Sequence, residues 1–388
     1  MLPDSTRNRI ALLFTINACM FIFGIVLFLM GALLPTLQVS SAHLINLGSI
    51  PLIGILTATL FVGPVLDLHG AKQMMVVALL LVAGSLAIFP ALQFYWQLEI
   101  CCFAYGLGGG ILNTAANVLI AELNAESRAS ALNLLGFFFS GGAVLAPLLM
   151  SAAGGGLPSS TVLRLLAGVT AAILVPALAL RFPPPLRAGI RLRNLFSVLN
   201  QPLVWLIGVI LIFESGSENC LFVWSGKIVT DVLHTTAARG NLALVALGAA
   251  LGIGRLAAIL WVRWLGNLGT IWFSAVLIVT GIAIALAAQS LTGMVFAITV
   301  VGLGISAIFP TVLAIAGNCF SGETGTVFSA IIALGLLGGA AGPTVGAHAA
   351  MYGPLHVLWI PAVCAAAVSA LTVAVDSPLS SAKRSVLR

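Results

Sequence analysis

The sequence predicts an all-α polytopic membrane protein of about twelve transmembrane helices in two six-helix halves. Three observations predict it. First, 61% of the 388 residues are hydrophobic and 7% are charged, where soluble domains carry roughly a quarter charged residues. With a mean hydropathy of +1.17, the chain lacks the polar side chains to cover a water-soluble globule. Second, the apolar stretches are continuous over about 20 residues, the length that crosses a hydrocarbon core as a helix. They lack the alternation of β-barrel strands, and in lipid a continuous apolar run satisfies its own backbone only as a helix. Third, the longest basic, proline-containing stretch, Arg181–Leu199, falls at mid-chain. It separates an N-terminal half over 1–181 from a C-terminal half over 201–388, with a linker over 182–200.

In order, the first span is expected over Ile10–Leu34. Arg7 and Arg9 precede it, but the run is too long for the apolar core of a cleavable signal. The second and third, Leu47–Leu66 and the short Met74–Pro90, flank a turn of glycine and charge. The fourth, Trp96–Leu119, is followed by Glu126-Ser-Arg128. The fifth and sixth, Ala129–Ala153 and Val162–Leu180, complete the first half. The second half is read as Pro202–Ser225, Leu242–Trp261, the short Ile271–Ala288, Gly293–Ala316, Val327–Ala347 and Leu355–Val375. Thirteen Lys and Arg residues then fall on one side and three, Arg164, Lys227 and Arg239, on the other. The basic side is cytoplasmic, so both termini are placed in the cytoplasm, and the expected location is the inner membrane.

Several function classes drop out. The formal charge of +6 is spread over helix ends and forms no patch, which excludes nucleic acid as a partner. The six cysteines, among them Cys101, Cys102, Cys220 and Cys364, lie mostly inside apolar runs without C-x-x-C spacing. They read as small hydrophobes, and no metal or cofactor is expected. The glycine runs Gly106–Gly110 and Gly335–Gly346 are not followed by Gly-Lys-Ser/Thr, so they read as close helix contacts. No nucleophile–base pair lies at membrane depth, so the chain is not expected to be an enzyme. No ATPase motif is present, and gradients would drive any transport.

An internal match links the halves: Gly141-Gly-Ala-Val-Leu-Ala-Pro147 and Gly338-Gly-Ala-Ala-Gly-Pro343 lie half a chain apart, as parallel repeats in transporters do. The second–third turn, Gly63-Pro-Val-Leu-Asp67-Leu-His-Gly70-Ala-Lys72, resembles the loop motif of the major facilitator superfamily, G-x-x-x-D-x-x-G-x-[RK]-[RK]. The resemblance implies the major facilitator fold, with Asp67 facing the N-terminus of the eleventh helix. It makes Gly63, Asp67, Gly70 and Lys72 a cytoplasmic gate, which Arg128, after the fourth span, either joins or flanks as an ordinary interfacial charge, and a monomer is the family's expectation. A degenerate second copy runs from Gly254-Arg255 to Arg263-Trp-Leu-Gly266, in the expected eighth–ninth loop.

Leu112-Asn-Thr-Ala-Ala-Asn117, Asn133-Leu, Phe139-Ser-Gly-Gly-Ala143, Gly252-Ile-Gly-Arg255 and Phe309-Pro-Thr311 keep the order of similar segments in the fucose–galactose–glucose:proton symporter branch. That resemblance implies a monosaccharide-like substrate in a central cavity. Proton-coupled members of the branch carry an acid where this chain has Gly31, before Leu33-Leu34-Pro35. They carry glutamate at Asn113 and glutamine at Gly136, so two proton sites and one sugar contact do not carry over.

Glu214 and Glu218, in the seventh span, are four apart and share a helix face. Carboxylates at membrane depth normally face a partner or a wet cavity, so both are candidates for binding a coupling ion, H+ or Na+, and the substrate. The bland alternative puts Glu218 at the outer interface, paired with Lys227 or Arg239. Asn113 and Asn117 are also four apart, and amides suit hydroxyl recognition, although bundles use asparagines simply to join helices. Trp224 is a candidate sugar-stacking residue or an interface anchor, and Asn17 is a further substrate candidate. His348 is noted near an outer helix end. The expected function is alternating-access transport of a small polar solute, a monosaccharide, through the bilayer. The alternative is a drug or metabolite exporter, for which Gly142-x-x-x-Ala146-Pro147 gives a partial antiporter motif.

Overall fold

Helix follows helix from Thr6 to Val386 in the computed structural model, with no strand among the described residues. Those residues are 6–33, 41–153, 158–184, 200–235, 237–320 and 324–386. We number the helices α1 (Thr6–Leu33), α2 (Ser41–His69), α3 (Ala71–Ile88), α4 (Tyr95–Leu123), α5 (Arg128–Ala153) and α6 (Ser159–Ala179). After the mid-chain stretch come α7 (Pro202–Val232) and the continuous helical run Ala237–Ala287, which turns at Gly266 and so supplies α8 and α9. The last three are α10 (Leu291–Cys319), α11 (Thr324–Ala350) and α12 (Trp359–Val386). Ten stretches are long and apolar enough to cross a membrane; one of them, Leu242–Ala287, contains both α8 and α9, and Ile50–Leu66 of α2 is a shorter apolar helix. Together these make the predicted twelve. Of the linker, 185–199 lies outside the described residues, as do Leu34 and Pro35.

Several elements differ from the expected spans: α12 runs eleven residues past Val375, to Val386, and α2 begins at Ser41. α7 runs seven residues past Ser225, to Val232. α8 has no loop at Gly254-Arg255, because both residues lie inside the helix; the turn is confined to Gly266, at φ 68° and ψ −177°. The second loop motif is therefore shorter than the sequence suggested, because an uninterrupted apolar helix carries Arg255 inside it. The tenth span breaks at Ser306-Ala307, between helical stretches Leu291–Ile305 and Ile308–Cys319.

Gly70, in the α2–α3 turn, also has positive φ, at 85°. An L side chain is strained there and glycine is not. Gly70 lies between α2 and α3 and Gly266 between α8 and α9, while Pro147 and Pro343 lie within α5 and α11.

Two compact units comprise the chain. The first holds 1–123, 138–196 and 322–329; the second holds 124–137, 197–321 and 330–388. In the first unit α2 meets α4 at bare backbone: a Cβ on Gly106 would strike Pro51, and one on Gly54 or Gly110 would strike the main chain of Phe103 or Ile55. α1 meets α5 in the same way, Gly24 lying on Phe139 and Gly142 on Phe21. In the second unit Gly338 and Gly342 of α11 lie on the carbonyls of Ile212 and Gly216 of α7. Lipid offers no hydrophobic drive for helices to join, so such small-residue seams and their van der Waals packing hold the units together. Leu12, Ile16, Met75 and Leu79 fill the interior of the first unit, and Leu211, Leu221 and Leu313 that of the second. Phe14, Phe61, Val175 and Val245 point outward, as a lipid-facing surface requires.

Candidate functional site

In the second unit, the polar groups gather where α7 passes α8 and the broken α10. Glu218 lies 14 residues before the end of α7, about 21 Å at 1.5 Å per residue, so it is a mid-helix residue. Its partner is neither Lys227 nor Arg239. Arg255 of α8 faces it, with Nη2 3.4 Å from Glu218 Oε1. Lys227 instead pairs with Asp231 at 2.8 Å on an exposed stretch. Arg255 is buried, and its guanidinium is shared: Nη1 donates to the Gly136 carbonyl at 2.9 Å and Nε to the Ser306 carbonyl at 3.4 Å. The latter carbonyl belongs to the break in α10, against which Gly254 packs. Interrupted membrane helices expose such backbone groups and commonly build binding sites from them.

Gly136 makes room for this arrangement. A Cβ there would fall 2.8 Å from Arg255 Cδ and 3.0 Å from Nε. The space that a side chain at position 136 would take is thus occupied by an arginine from α8.

Glu214, one turn before Glu218, is 2% exposed. Oε2 accepts a hydrogen bond from Ser215 Oγ at 2.9 Å. Oε1 is buried with no hydrogen-bond partner, and so is Ser217 Oγ. Both residues line a cavity with about 10 Å³ of room for the centre of a water-sized sphere, walled by Ile278, Ile305, Ile308, Cys364, Ala365 and Val368. That is roughly the space of one water. Glu218 and Arg255 are the charged groups acting on Glu214.

Trp224 sits against Gly346, and its Nε1 donates to the Pro343 carbonyl at 3.0 Å. The indole thereby joins α7 to α11.

In the first unit, Asn113 and Asn117 are buried on α4 and bonded to each other. Asn117 Nδ2 donates to the Asn113 carbonyl at 2.9 Å and to its Oδ1 at 3.0 Å. Asn17 of α1 donates to the Leu13 carbonyl at 2.8 Å, and its Oδ1 is buried without a partner. Between the anchor points Arg9–Leu123 and Ile25–Tyr105, Asn17 lies at the level of Asn113 and Asn117 along the antiparallel pair α1–α4.

The predicted gate residues divide among separate contacts. Gly63 packs directly on the Gly325 carbonyl and Ser329 at the start of α11, within the first unit. That is the helix the motif implied, met through a glycine. The Asp67 side chain lies outside those described. Gly70 makes the α2–α3 turn. Lys72 donates from Nζ to the Leu178 and Leu180 carbonyls at 2.6 and 3.0 Å, so it caps the C-terminal end of α6, where a cation is favoured. Arg128 belongs to the second unit, donates to Asn318 Oδ1 and covers Gly317 at the end of α10. His348 is exposed, with Nδ1 3.0 Å from the Thr344 carbonyl.

Arg255 is the residue that sequence reasoning misplaced. It was counted with the loop cations because an arginine beside Gly254 resembled a motif. The available signal was its depth, 11 residues before Gly266, about 16 Å inside the helix. A charge that deep requires a partner, and Glu218 is one. Ser217, Ser306 and Gly136 have no comparable sequence signal, since small polar residues and glycine occur throughout such helices.

Apolar helices long enough to cross a membrane, with a buried pair of opposite charges among them, describe a polytopic membrane protein, and the comparisons with known proteins give its family. The family description Major Facilitator Superfamily matches residues 12–343. The chain belongs to the major facilitator superfamily.

Among solved structures, the chain is similar to the E. coli fucose:proton symporter FucP at 18% identity and a TM-score of 0.79, over 94% of this chain and 98% of that one. The same values hold for FucP in its outward conformation. The human organic anion transporter MFSD10 (TETRAN) matches at 16% identity and a TM-score of 0.73, over 96% and 99%. These likenesses show the fold. A curated relative, the multidrug resistance protein MdtH of Shigella dysenteriae serotype 1, is 33% identical over 92 residues. That match covers 24% of this chain and 23% of the relative.

Proposed function

We propose that the protein imports a small polar solute, a monosaccharide, across the cytoplasmic membrane by alternating access, with movement coupled to an ion through Glu214 and Glu218. The single observation that carries the coupling is the unpartnered, buried oxygen of Glu214 beside the Glu218–Arg255 pair. With all three groups ionised the cluster holds two negative charges and one positive charge in a low-dielectric interior. An unpaired carboxylate there is costly, and a bound proton or cation relieves it. The buried amides of Asn113, Asn117 and Asn17 support a hydroxyl-bearing solute, since amides both donate and accept. The likeness of fold to a fucose:proton symporter supports the same class.

In this reading residues 1–181 and 201–388 are the two moving halves, joined by the linker 182–200. The protein acts as a monomer with both termini in the cytoplasm. Gly63, Asp67, Gly70, Lys72 and Arg128 close the cytoplasmic side, and the contact of Gly63 with the start of α11 supports that role. Trp224 serves the substrate site by fixing α7 against α11.

Uptake of radiolabelled monosaccharides into proteoliposomes, with and without imposed proton and sodium gradients, tests the proposal. Gradient-driven accumulation of one sugar is expected. Equilibration without accumulation would remove the coupling role of the two glutamates and leave a facilitator. Absence of sugar flux would favour the second reading, an exporter of drugs or metabolites, which the partial match to MdtH supports.

A further inference from the structure

Three helices of the first unit meet on a single peptide bond. The peptide joining Leu180 to Arg181, just past α6, accepts at the Leu180 carbonyl from Lys72 Nζ of α3, at 3.0 Å. It donates from Arg181 N to Asn8 Oδ1 of α1, at 3.2 Å. Asn8 Nδ2 returns a bond to the Arg181 carbonyl at 3.0 Å, so one side-chain amide grips the Arg181 backbone at both its donor and its acceptor. Lys72 Nζ also holds the Leu178 carbonyl, at 2.6 Å.

This clamp gathers positive charge. The Lys72 ammonium is bonded to neutral carbonyls, and among the described side chains no carboxylate pairs with it. Two of its three N–H donors are used. The Arg181 side chain springs from the clamped peptide and is exposed, and Arg7, next to Asn8, is exposed as well. The other described charged and titratable groups at this end of the unit are His69, which is exposed, Arg9, which donates to the Leu123 carbonyl of α4, and Glu122. Carbonyls at the end of a helix disfavour an anion, but Lys72 already occupies two of those of α6. Just inside the membrane from these cations the surface is apolar. Ile10 and Phe14 of α1, four apart, and Val175 and Leu178 of α6, three apart, are exposed, and α1 packs beside α6. From Arg7 to Phe14, and from Arg181 to Val175, is about 10 Å along the helix. The cations therefore stand at the headgroup level of a lipid whose acyl chains lie on these side chains.

We propose that this corner binds an anionic glycerophospholipid, its phosphodiester held by Lys72, Arg7 and Arg181 and its acyl chains resting on the apolar faces of α1 and α6. Basic pockets between membrane helices take anionic headgroups in this way. A soluble phosphate would meet the charges alone, whereas a lipid meets both the charges and the apolar faces. The bound lipid adds a second bridge among α1, α3 and α6, which the clamp already joins. The site is remote in sequence from the polar groups of α7, and it stands or falls independently of the transport proposal.

Native mass spectrometry of the full chain in neutral detergent, titrated with phosphatidylglycerol or phosphatidylcholine, gives the dissociation constant of the first bound lipid. Phosphatidylglycerol should bind more tightly. Arg7→Gln/Arg181→Gln should weaken it roughly fivefold for each arginine removed, the contribution of one basic residue beside an anionic lipid. Arg164→Gln removes an exposed charge near the other end of α6 and should leave the constant unchanged. Arg7→Lys/Arg181→Lys keeps both charges and should retain binding, because a point charge also holds a phosphate. If the double glutamine variant does not fold, competition on the parent protein serves: excess inorganic phosphate should fail to displace the lipid. Equal affinity for the two lipids, an equal loss in Arg164→Gln, or displacement by inorganic phosphate overturns the proposal.

Discussion

Arg255→Met is the substitution whose energetic outcome can be worked furthest from the structure. Among the bonds of this side chain are one of ordinary length, 2.9 Å to the Gly136 carbonyl, and two long ones of 3.4 Å, to Ser306 and Glu218. A hydrogen bond from a charged donor contributes about 1.5–3 kcal/mol net, and removing one partner of a buried pair costs about 3–5 kcal/mol. The length of the pair and the partial exposure of Glu218 place this case at the lower end, roughly 3 kcal/mol. Methionine fills most of the volume, so cavity formation adds little. Glu218→Gln should cost less, because the amide still accepts from Arg255. The double variant Arg255→Met/Glu218→Gln should be more stable than the sum of the singles by about 1–2 kcal/mol, since no orphan charge remains. Unfolding in lipid nanodiscs, analysed as a double-mutant cycle, is the assay. Additivity within about 0.5 kcal/mol would refute a direct Glu218–Arg255 interaction.

Three further outcomes follow from named contacts. Gly63→Leu should destabilise the first unit by about 1–3 kcal/mol through overpacking, because its Cβ meets the Gly325 carbonyl and Ser329; thermal unfolding reads it. Gly342→Leu, facing the Gly216 carbonyl, should behave alike in the second unit, whereas Gly168→Ala, with nothing within 4 Å of its Cβ, should be neutral or up to about 1 kcal/mol stabilising. Glu214→Gln should abolish accumulation against a gradient in proteoliposomes while leaving equilibrative flux; full accumulation would assign coupling elsewhere.

Much of the fold is legible in the sequence, because lipid leaves an apolar chain few choices. Continuous runs such as Ile10–Leu34 must be helices, and the turn glycines Gly70 and Gly266 mark where they reverse. The family is legible in Gly63–Lys72, since a tight turn between helices demands glycine at fixed spacing. Glu214, Glu218, Asn113 and Asn117 are legible as candidates because polar groups at membrane depth are rare and costly.

Partnership, however, depends on tertiary structure. Arg255 and Glu218 are 37 residues apart, and Gly136 lies 119 residues from Arg255; no local pattern joins them. Helix ends are equally open in the sequence, because a helix lengthens by a few residues at little cost in sequence signal, and α7 does so, running to Val232. Lys72 reads as a gate residue by resemblance, and the tertiary structure adds that it caps α6, because the ends of α3 and α6 meet there. The sequence by itself determined the helices, their number and the cost of each buried charge. Only the tertiary structure decided which charge meets which, because that depends on how rigid helices cross, and glycine contacts between residues distant in sequence, such as Gly342 on Gly216, set those crossings.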